Sequence, residues 1–195
     1  MSNNQVGTYK LVASPFHLDV RGKLSMGVLG KHLLNCADAY AAERGFDVVE
    51  QGGEHYTWVL SRLAIELEDL PSCHESFSIQ TWVENVYRLF ADRNFVICDE
   101  DEKPIGYVRS VWAMISMETR NPANLLALYG DRITNSICEK ECPIAKPGRI
   151  KVSQQEAVSE YVAKYSDLDI NGHVNSIKYI EHILDIFPLD TYKKK

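Results

Sequence analysis

The sequence predicts an α+β fold in which a long helix packs on an antiparallel sheet, with the start of that unit repeated near the C-terminus. Three observations predict it. One amphipathic segment, over residues 25–45, is followed by four long strand-like runs. Those runs largely alternate apolar and polar residues, and the last two are joined by a short polar turn, the habit of antiparallel strands with one face on a core. An eight-residue stretch at a strand-to-helix junction then recurs at an offset of 150 residues.

Residues 8–20 read as a strand, with Tyr9, Leu11 and Ala13 alternating before Pro15 interrupts. Ser25 is a candidate N-cap, because its short side chain can accept from the free N–H groups of a first helical turn. Val28, Leu29, Leu33, Ala37, Tyr40 and Ala41 follow at three-to-four spacing, and Gly45 stops the helix. In 56–67, Val59, Leu63, Ile65 and Leu67 are assigned to one face; in 76–86, Phe77, Ile79, Thr81 and Val83 are. Residues 89–98 form a less regular run, and 105–116 alternate again. Asp99-Glu-Asp-Glu-Lys-Pro104 between them is a polar turn, so these two runs are expected to form a hairpin. Residues 119–150, broken by Pro122, Pro143 and Pro147, read as a linker with a short helix near 123–129. A strand over 156–165 and a helix over 176–187 follow, the helix striped by Ile177, Ile180, Ile183, Leu184 and Phe187 and capped by Asn175.

Composition narrows the function classes. Apolar residues make up 45% and charged residues 25% of the 195, which is ordinary for a globular chain. The formal net charge of −6 argues against broad nucleic-acid binding, which needs a basic footprint. No apolar run is long enough to span a bilayer, and the N-terminus reads as neither a secretory signal nor a transit peptide. Five scattered cysteines fit a reduced, cytoplasmic protein. Cys138 and Cys142 fall short of a metal site, which wants about four ligands. Lys146-Pro-Gly-Arg-Ile-Lys151 is a small basic cluster, either a solvated linker or a docking patch for an acidic partner.

The repeat aligns Leu18-Asp-Val-Arg-Gly-Lys-Leu-Ser25 with Leu168-Asp-Ile-Asn-Gly-His-Val-Asn175. Asp meets Asp, Gly meets Gly and the two candidate N-caps coincide, which suggests a duplicated domain. Arg21 and Lys23 of the first copy are replaced by Asn171 and His173 in the second. Asp169, Asn171 and His173 therefore form the candidate catalytic group. Polar side chains just before a helix N-terminus sit where free N–H groups and the dipole favour a developing anion. His173 could act as a general base. Asp169 could orient that base, activate water or attack as a nucleophile, and Asn171 could hold a carbonyl or the water. Asp and Asn are also ordinary turn and cap residues, so a purely structural role stays open.

Asp167-Leu-Asp-Ile-Asn-Gly-His-Val-Asn-Ser-Ile-Lys-Tyr-Ile180 resembles the signature of the acyl-[acyl-carrier-protein] (acyl-ACP) thioesterase family, the plant-type family with bacterial members. Tyr56-Thr-Trp-Val-Leu-Ser-Arg62, Phe77-Ser-Ile-Gln-Thr-Trp82, Arg109-Ser-Val-Trp-Ala-Met114 and Thr119-Arg120 resemble further family stretches, in the family's order. The resemblance runs from about residue 8 to 188. It implies a tandem hotdog fold, each unit a long helix wrapped by an antiparallel sheet. The implied division is an N-terminal hotdog over 1–118 that shapes the acyl pocket, a linker over 119–150, and a partial C-terminal hotdog over 151–195 that carries the catalytic segment.

The resemblance also implies hydrolysis of fatty acyl-ACP to free fatty acid and holo-ACP, with Asp169, Asn171 and His173 catalytic and with no cofactor and no metal. Trp58, Arg62, Trp82 and Trp112 are the candidate substrate-binding residues, core packing being the other role open to the tryptophans. Acyl carrier protein is the expected partner, and a homodimer is left open. The family places a further Glu, and often a Cys, beyond the His, and no residue here matches them. After Pro188 only Leu189–Lys195 remain, so the second hotdog is expected to be incomplete. Two rivals follow: a hotdog acyl-CoA thioesterase, and a non-catalytic acyl-binding relative.

Overall fold

A computed structural model describes residues 5–150 and 159–193 of the chain. Six strands form one antiparallel sheet in the order β1-β4-β5-β6-β3-β2: β1 is Gly7–Val12, β2 Val49–Gln51, β3 Glu54–Leu67, β4 Ser76–Val86, β5 Phe90–Cys98 and β6 Pro104–Ser116. The long helix α1, Met26–Glu43, lies against its inner face. Ser25 caps α1 by accepting from the Val28 N–H at 3.3 Å. Gly45, at φ +69°, follows its end in a conformation a Cβ would disfavour. Leu29 and Leu33 of the helix meet Phe77, Ile79, Phe95, Ile97 and Val108 of the sheet in the main core.

The first strand is shorter than its expected span. It ends at Val12, and Pro15–His17 form a 3-10 turn, because proline cannot extend the ladder. The face assigned to Val59 also needs correcting. The β3–β6 register shifts between Leu60 and Arg62, so the side chains before the bulge change face relative to those after it. Trp58 thus joins the inner cluster with Tyr129, and Leu63, Ile65 and Leu67 face inward beyond the bulge, whereas Val59 is exposed.

The irregularity of 89–98 has a physical cause: β5 is buried on both faces, so no polar side alternates with an apolar one. Its outer face is covered by the 138–144 segment. Cys142 and Ile144 pack there on Trp82, Val96 and Cys98. Arg109 ties the same segment down, donating to the Cys142 carbonyl at 2.7 Å and to Glu84 at 2.8 Å. Lys146 bridges Glu84 at 3.2 Å and Asp92 at 3.0 Å. The 119–150 stretch is therefore strapped to the sheet. It also holds two short helices, α2 at Leu125–Tyr129 and α3 at Asp131–Thr134.

The strand expected over 156–165 is not found in its described part. Residues 159–164 have no regular structure, and Tyr165–Asp167 form a 3-10 turn; no described strand lies beside them to complete a ladder. Residues 156–158 lie outside the described residues. Helix α4, Ser176–Asp185, is capped by Asn175, which accepts from the Ile177 N–H at 2.9 Å. It crosses α1 closely. Ile177 is 1% exposed, and a Cβ at Gly30 would come within 2.7 Å of the Ile177 side chain. The rest of its predicted stripe is largely open, with Ile183 and Phe187 more than half exposed. A last turn, α5, spans Asp190–Lys193.

Candidate active site

The repeated octapeptide folds twice into the same turn. In the first copy the Asp19 N–H donates to the Lys23 carbonyl at 2.7 Å; in the second the Asp169 N–H donates to the His173 carbonyl at 2.7 Å. Gly22 and Gly172 donate back to the Asp19 and Asp169 carbonyls, each at 3.0 Å. Gly22 sits at φ +73° and Gly172 at φ +72°, where glycine is preferred. The register extends beyond the octapeptide: Ser25 and Asn175 donate from their backbones to residues 17 and 167, and each then caps its helix.

The twin exposes what Asp169 does first. Its Oδ1 accepts the N–H groups of Asn171 at 2.9 Å and His173 at 3.0 Å. Asp19 does the same for Arg21 at 2.8 Å and Lys23 at 3.4 Å. Both are turn-shaping carboxylates. The copies part at Oδ2. In Asp19 it is taken by the Arg21 guanidinium at 2.7 and 2.9 Å. Position 171 is Asn, and no described residue donates to Oδ2 of Asp169. The second turn thus presents a carboxylate oxygen, the Asn171 amide and the His173 ring, all at the surface.

Behind the turn, the second copy replaces a contact between two histidines by an acid–base pair. His17 and His32 meet edge to face at 5.7 Å between ring centroids. The residues 150 further on are Asp167 and His182, 3.4 Å apart from Oδ1 to Nε2. Asp167 is 2% exposed and accepts from the Lys164 N–H at 2.7 Å and the Tyr161 hydroxyl at 2.8 Å, while His182 stands at ion-pair distance only. The Lys164 N–H, and then the Tyr161 hydroxyl and His182, hold its carboxyl below the usual range despite burial. Its backbone carbonyl accepts from Asn175 at 2.8 Å, so this cluster braces the C-terminal side of the turn.

The turn borders the mouth of a cavity of about 360 Å³. The cavity runs into the first half between α1, through Leu34, Ala37 and Ala41, and the sheet, through Trp58, Leu60, Val83, Ala91 and Trp112; Asp169, Asn171, His173 and Ser176 line its other end. Its walls are mainly apolar and its mouth is polar, the usual division between a ligand's greasy body and the atoms that orient its head. The structure thus brings Asp169, Asn171 and His173 to one opening, with Trp58 and Trp112 in the wall behind them.

It does not bring Trp82 or Arg62 there. Trp82 is fully buried on the outer face of the sheet and donates to the Lys140 carbonyl at 2.9 Å. The alternation that sends Thr81 and Val83 inward sends Trp82 outward. Arg62 is exposed at the bulge and lines a separate shallow groove beside α4. Within the basic cluster, Lys146 is engaged by Glu84 and Asp92; Lys151 lies outside the described residues.

Two arginines of the site were given no role there from the sequence. Arg93 of β5 is 6% exposed and lines the cavity, stacked 4.6 Å from the centroid of the Tyr40 ring and donating to Thr81 Oγ1 at 3.3 Å. Burial pushes its guanidinium down to about 10. A charged residue at an inward position of an apolar run was the available signal. Arg120 approaches the other end, its Nη2 3.0 Å from His173 Nε2. It lies 53 residues away in sequence, and nothing local announced the contact.

Sequence models of the acyl-ACP thioesterase N-terminal domain and C-terminal domain match residues 8–130 and 150–195. The chain belongs to the acyl-ACP thioesterase family. A crystal structure of a family member from Bacteroides thetaiotaomicron superposes with TM-score 0.89 at 59% identity, over 100% of this chain and 79% of that one. The 12:0-ACP thioesterase of Umbellularia californica shares the fold with TM-score 0.78 at 16% identity, over 98% and 74% of the two chains. The fold is therefore the hotdog fold of these thioesterases.

A palmitoyl-acyl carrier protein thioesterase of Gossypium hirsutum is 25% identical over 162 residues, 80% of this chain and 39% of its own length. An oleoyl-acyl carrier protein thioesterase of Arabidopsis thaliana is 28% identical over 158 residues, 72% of this chain and 42% of its own. The chain spans about two fifths of the length of these plant relatives of the family. No described helix is long and apolar enough to cross a membrane.

Proposed function

We propose that this chain acts on fatty acyl-ACP, hydrolysing the thioester to free fatty acid and holo-ACP. One observation carries the reading: an apolar cavity in the first half opens on a turn that presents Asp169, Asn171 and His173. The acyl chain lies in the cavity, and its burial contributes about 0.8 kcal/mol per methylene. The carbonyl then rests at the polar mouth. Water attacks the carbonyl carbon, and His173 takes its proton. The Asn171 amide donates to the developing oxyanion or holds the water, and Asp169 Oδ2 favours the imidazolium that forms. The C–S bond breaks, and the proton passes to the departing thiolate.

In this reading the segment 1–118 supplies the pocket and 151–195 the polar group, with 119–150 strapped between them. Acyl carrier protein is the partner. A cytoplasmic setting fits the five cysteines, all of them free.

A second reading, acyl binding without turnover, is favoured by one observation: Arg120 occupies His173 Nε2, the atom a general base would use. The whole chain assayed against acyl-ACP and acyl-CoA of matched lengths separates the possibilities. Hydrolysis of acyl-ACP is expected, and His173→Ala should slow it on the order of 10²-fold or more. Bound fatty acid with no turnover would establish the second reading, and preference for acyl-CoA would replace the carrier protein as substrate donor.

A further inference from the structure

Arg120 combines two features that its position in a loop does not require. It sits at φ +61°, in the left-handed region where a residue with a Cβ is uncommon. Its turn is otherwise well anchored: the Arg120 N–H donates to the Ser116 carbonyl at 2.9 Å and the Ser116 N–H to the Asn121 carbonyl at 3.0 Å. Glycine would fill such a position at less cost. An arginine held there projects a guanidinium from the first half onto the second, ending 3.0 Å from His173 Nε2.

The chemistry of that contact is one-sided. A guanidinium has five N–H donors and no acceptor, so the imidazole must supply a lone pair at Nε2. The ring is then neutral, with its proton on Nδ1. Hydrolases commonly fix such a tautomer with an acceptor on Nδ1. Here no described residue accepts from Nδ1, and Asp169 Oδ1 is committed to backbone N–H groups.

Resting on the thioesterase reading of this site, we propose that Arg120 is a positioning residue that holds His173 with its lone pair at Nε2, ready to take a proton. When the thioester and its water enter, the water displaces the guanidinium from Nε2. The first half thus sets the protonation geometry of the base carried by the second.

Nitrogen-15 NMR of the histidine rings in the whole chain, at a pH where the His173 ring is neutral, reads the proposal directly. The wild type should show His173 Nε2 unprotonated and Nδ1 protonated. Arg120→Gly and Arg120→Met should move the proton predominantly to Nε2. In steady-state hydrolysis both variants should lose about 10-fold or more in kcat, a part of what a general base supplies, with KM for the acyl thioester little changed. Arg120→Lys, which keeps a donor, should recover part of the loss. Arg120→Gly removes the left-handed Cβ, so its Tm should not fall. A wild-type ring already protonated at Nε2 would overturn the proposal, as would a Gly variant with the wild-type ring pattern or one whose losses track a lowered Tm. If the wild type turns over no thioester but the ring pattern shifts as expected, the assigned reaction fails and the role of Arg120 toward His173 stands.

Discussion

Asp169 carries two separable jobs, and the duplicated turn supplies an internal control for telling them apart. Its Oδ1 accepts two backbone N–H groups, and no described residue donates to its Oδ2. Asp169→Ala removes both hydrogen bonds. At about 1 kcal/mol each for groups this exposed, the turn loses roughly 2 kcal/mol. Asp169→Asn keeps an oxygen that can accept the same two N–H groups, so its cost should stay below about 1 kcal/mol. It nevertheless removes the charge at Oδ2. If that charge supports an imidazolium or activates water, kcat falls on the order of 10²-fold in Asp169→Asn with the fold intact. Asp19→Asn in the twin turn gives up only an exposed pair with Arg21, worth about 0.2–1 kcal/mol, and should leave the rate alone. The assay is thiol release from acyl-ACP, paired with thermal melts of all three variants. A full rate in Asp169→Asn alongside a collapsed rate in Asp169→Ala would refute the catalytic assignment and leave Asp169 as a turn residue, like Asp19.

The strap on the outer face should respond to pH through Glu84. Burial raises its carboxyl, but Asn94, Lys146 and Arg109 outweigh that and hold it below its ordinary 4.5. A depressed carboxyl stabilises the folded state above that ordinary value and loses the contribution as pH falls through the folded one. Glu84→Gln weakens its charge-assisted hydrogen bonds and should thus cost about 2 kcal/mol at pH 7, with the gap to wild type narrowing progressively below about pH 4.5 in urea titrations. The tryptophans should divide by face: Trp82→Ala should cost about 3–5 kcal/mol, lowering the melting temperature while leaving preference among acyl lengths unchanged. Trp112→Ala, in the cavity wall, should change that preference, as chromatography of the released acids would report.

Most strand boundaries were legible because alternation is a local property, fixed by which face meets α1. β4 was expected over 76–86 and lies there; Phe77 and Ile79 reach the core and Trp82 the outer face, as one parity demands. The exceptions occur where a partner decides. The bulge at Leu60/Arg62 is set by pairing with β6, and it reverses Val59 relative to Leu63. β5 lost its alternation to the strap at Cys142 and Ile144, which arrives from 44 or more residues downstream. Arg120 was invisible as a site residue for the same reason, since its contact with His173 exists only once the two halves are docked.

The repeat also shows how much of a recognisable signature is shape. Asp169, Gly172 and the cap at Asn175 have structural equivalents in Asp19, Gly22 and Ser25, with nearly the same distances. A turn with no proposed chemistry needs them equally. Between the two caps, the polar changes in the turn itself are Asn171 in place of Arg21 and His173 in place of Lys23. The first change leaves a carboxylate oxygen without its guanidinium, and the second puts a titratable ring at the cavity mouth. The chemical information in the octapeptide is therefore concentrated at these two positions, and exchanging them for the first copy's residues should preserve the turn while silencing the site.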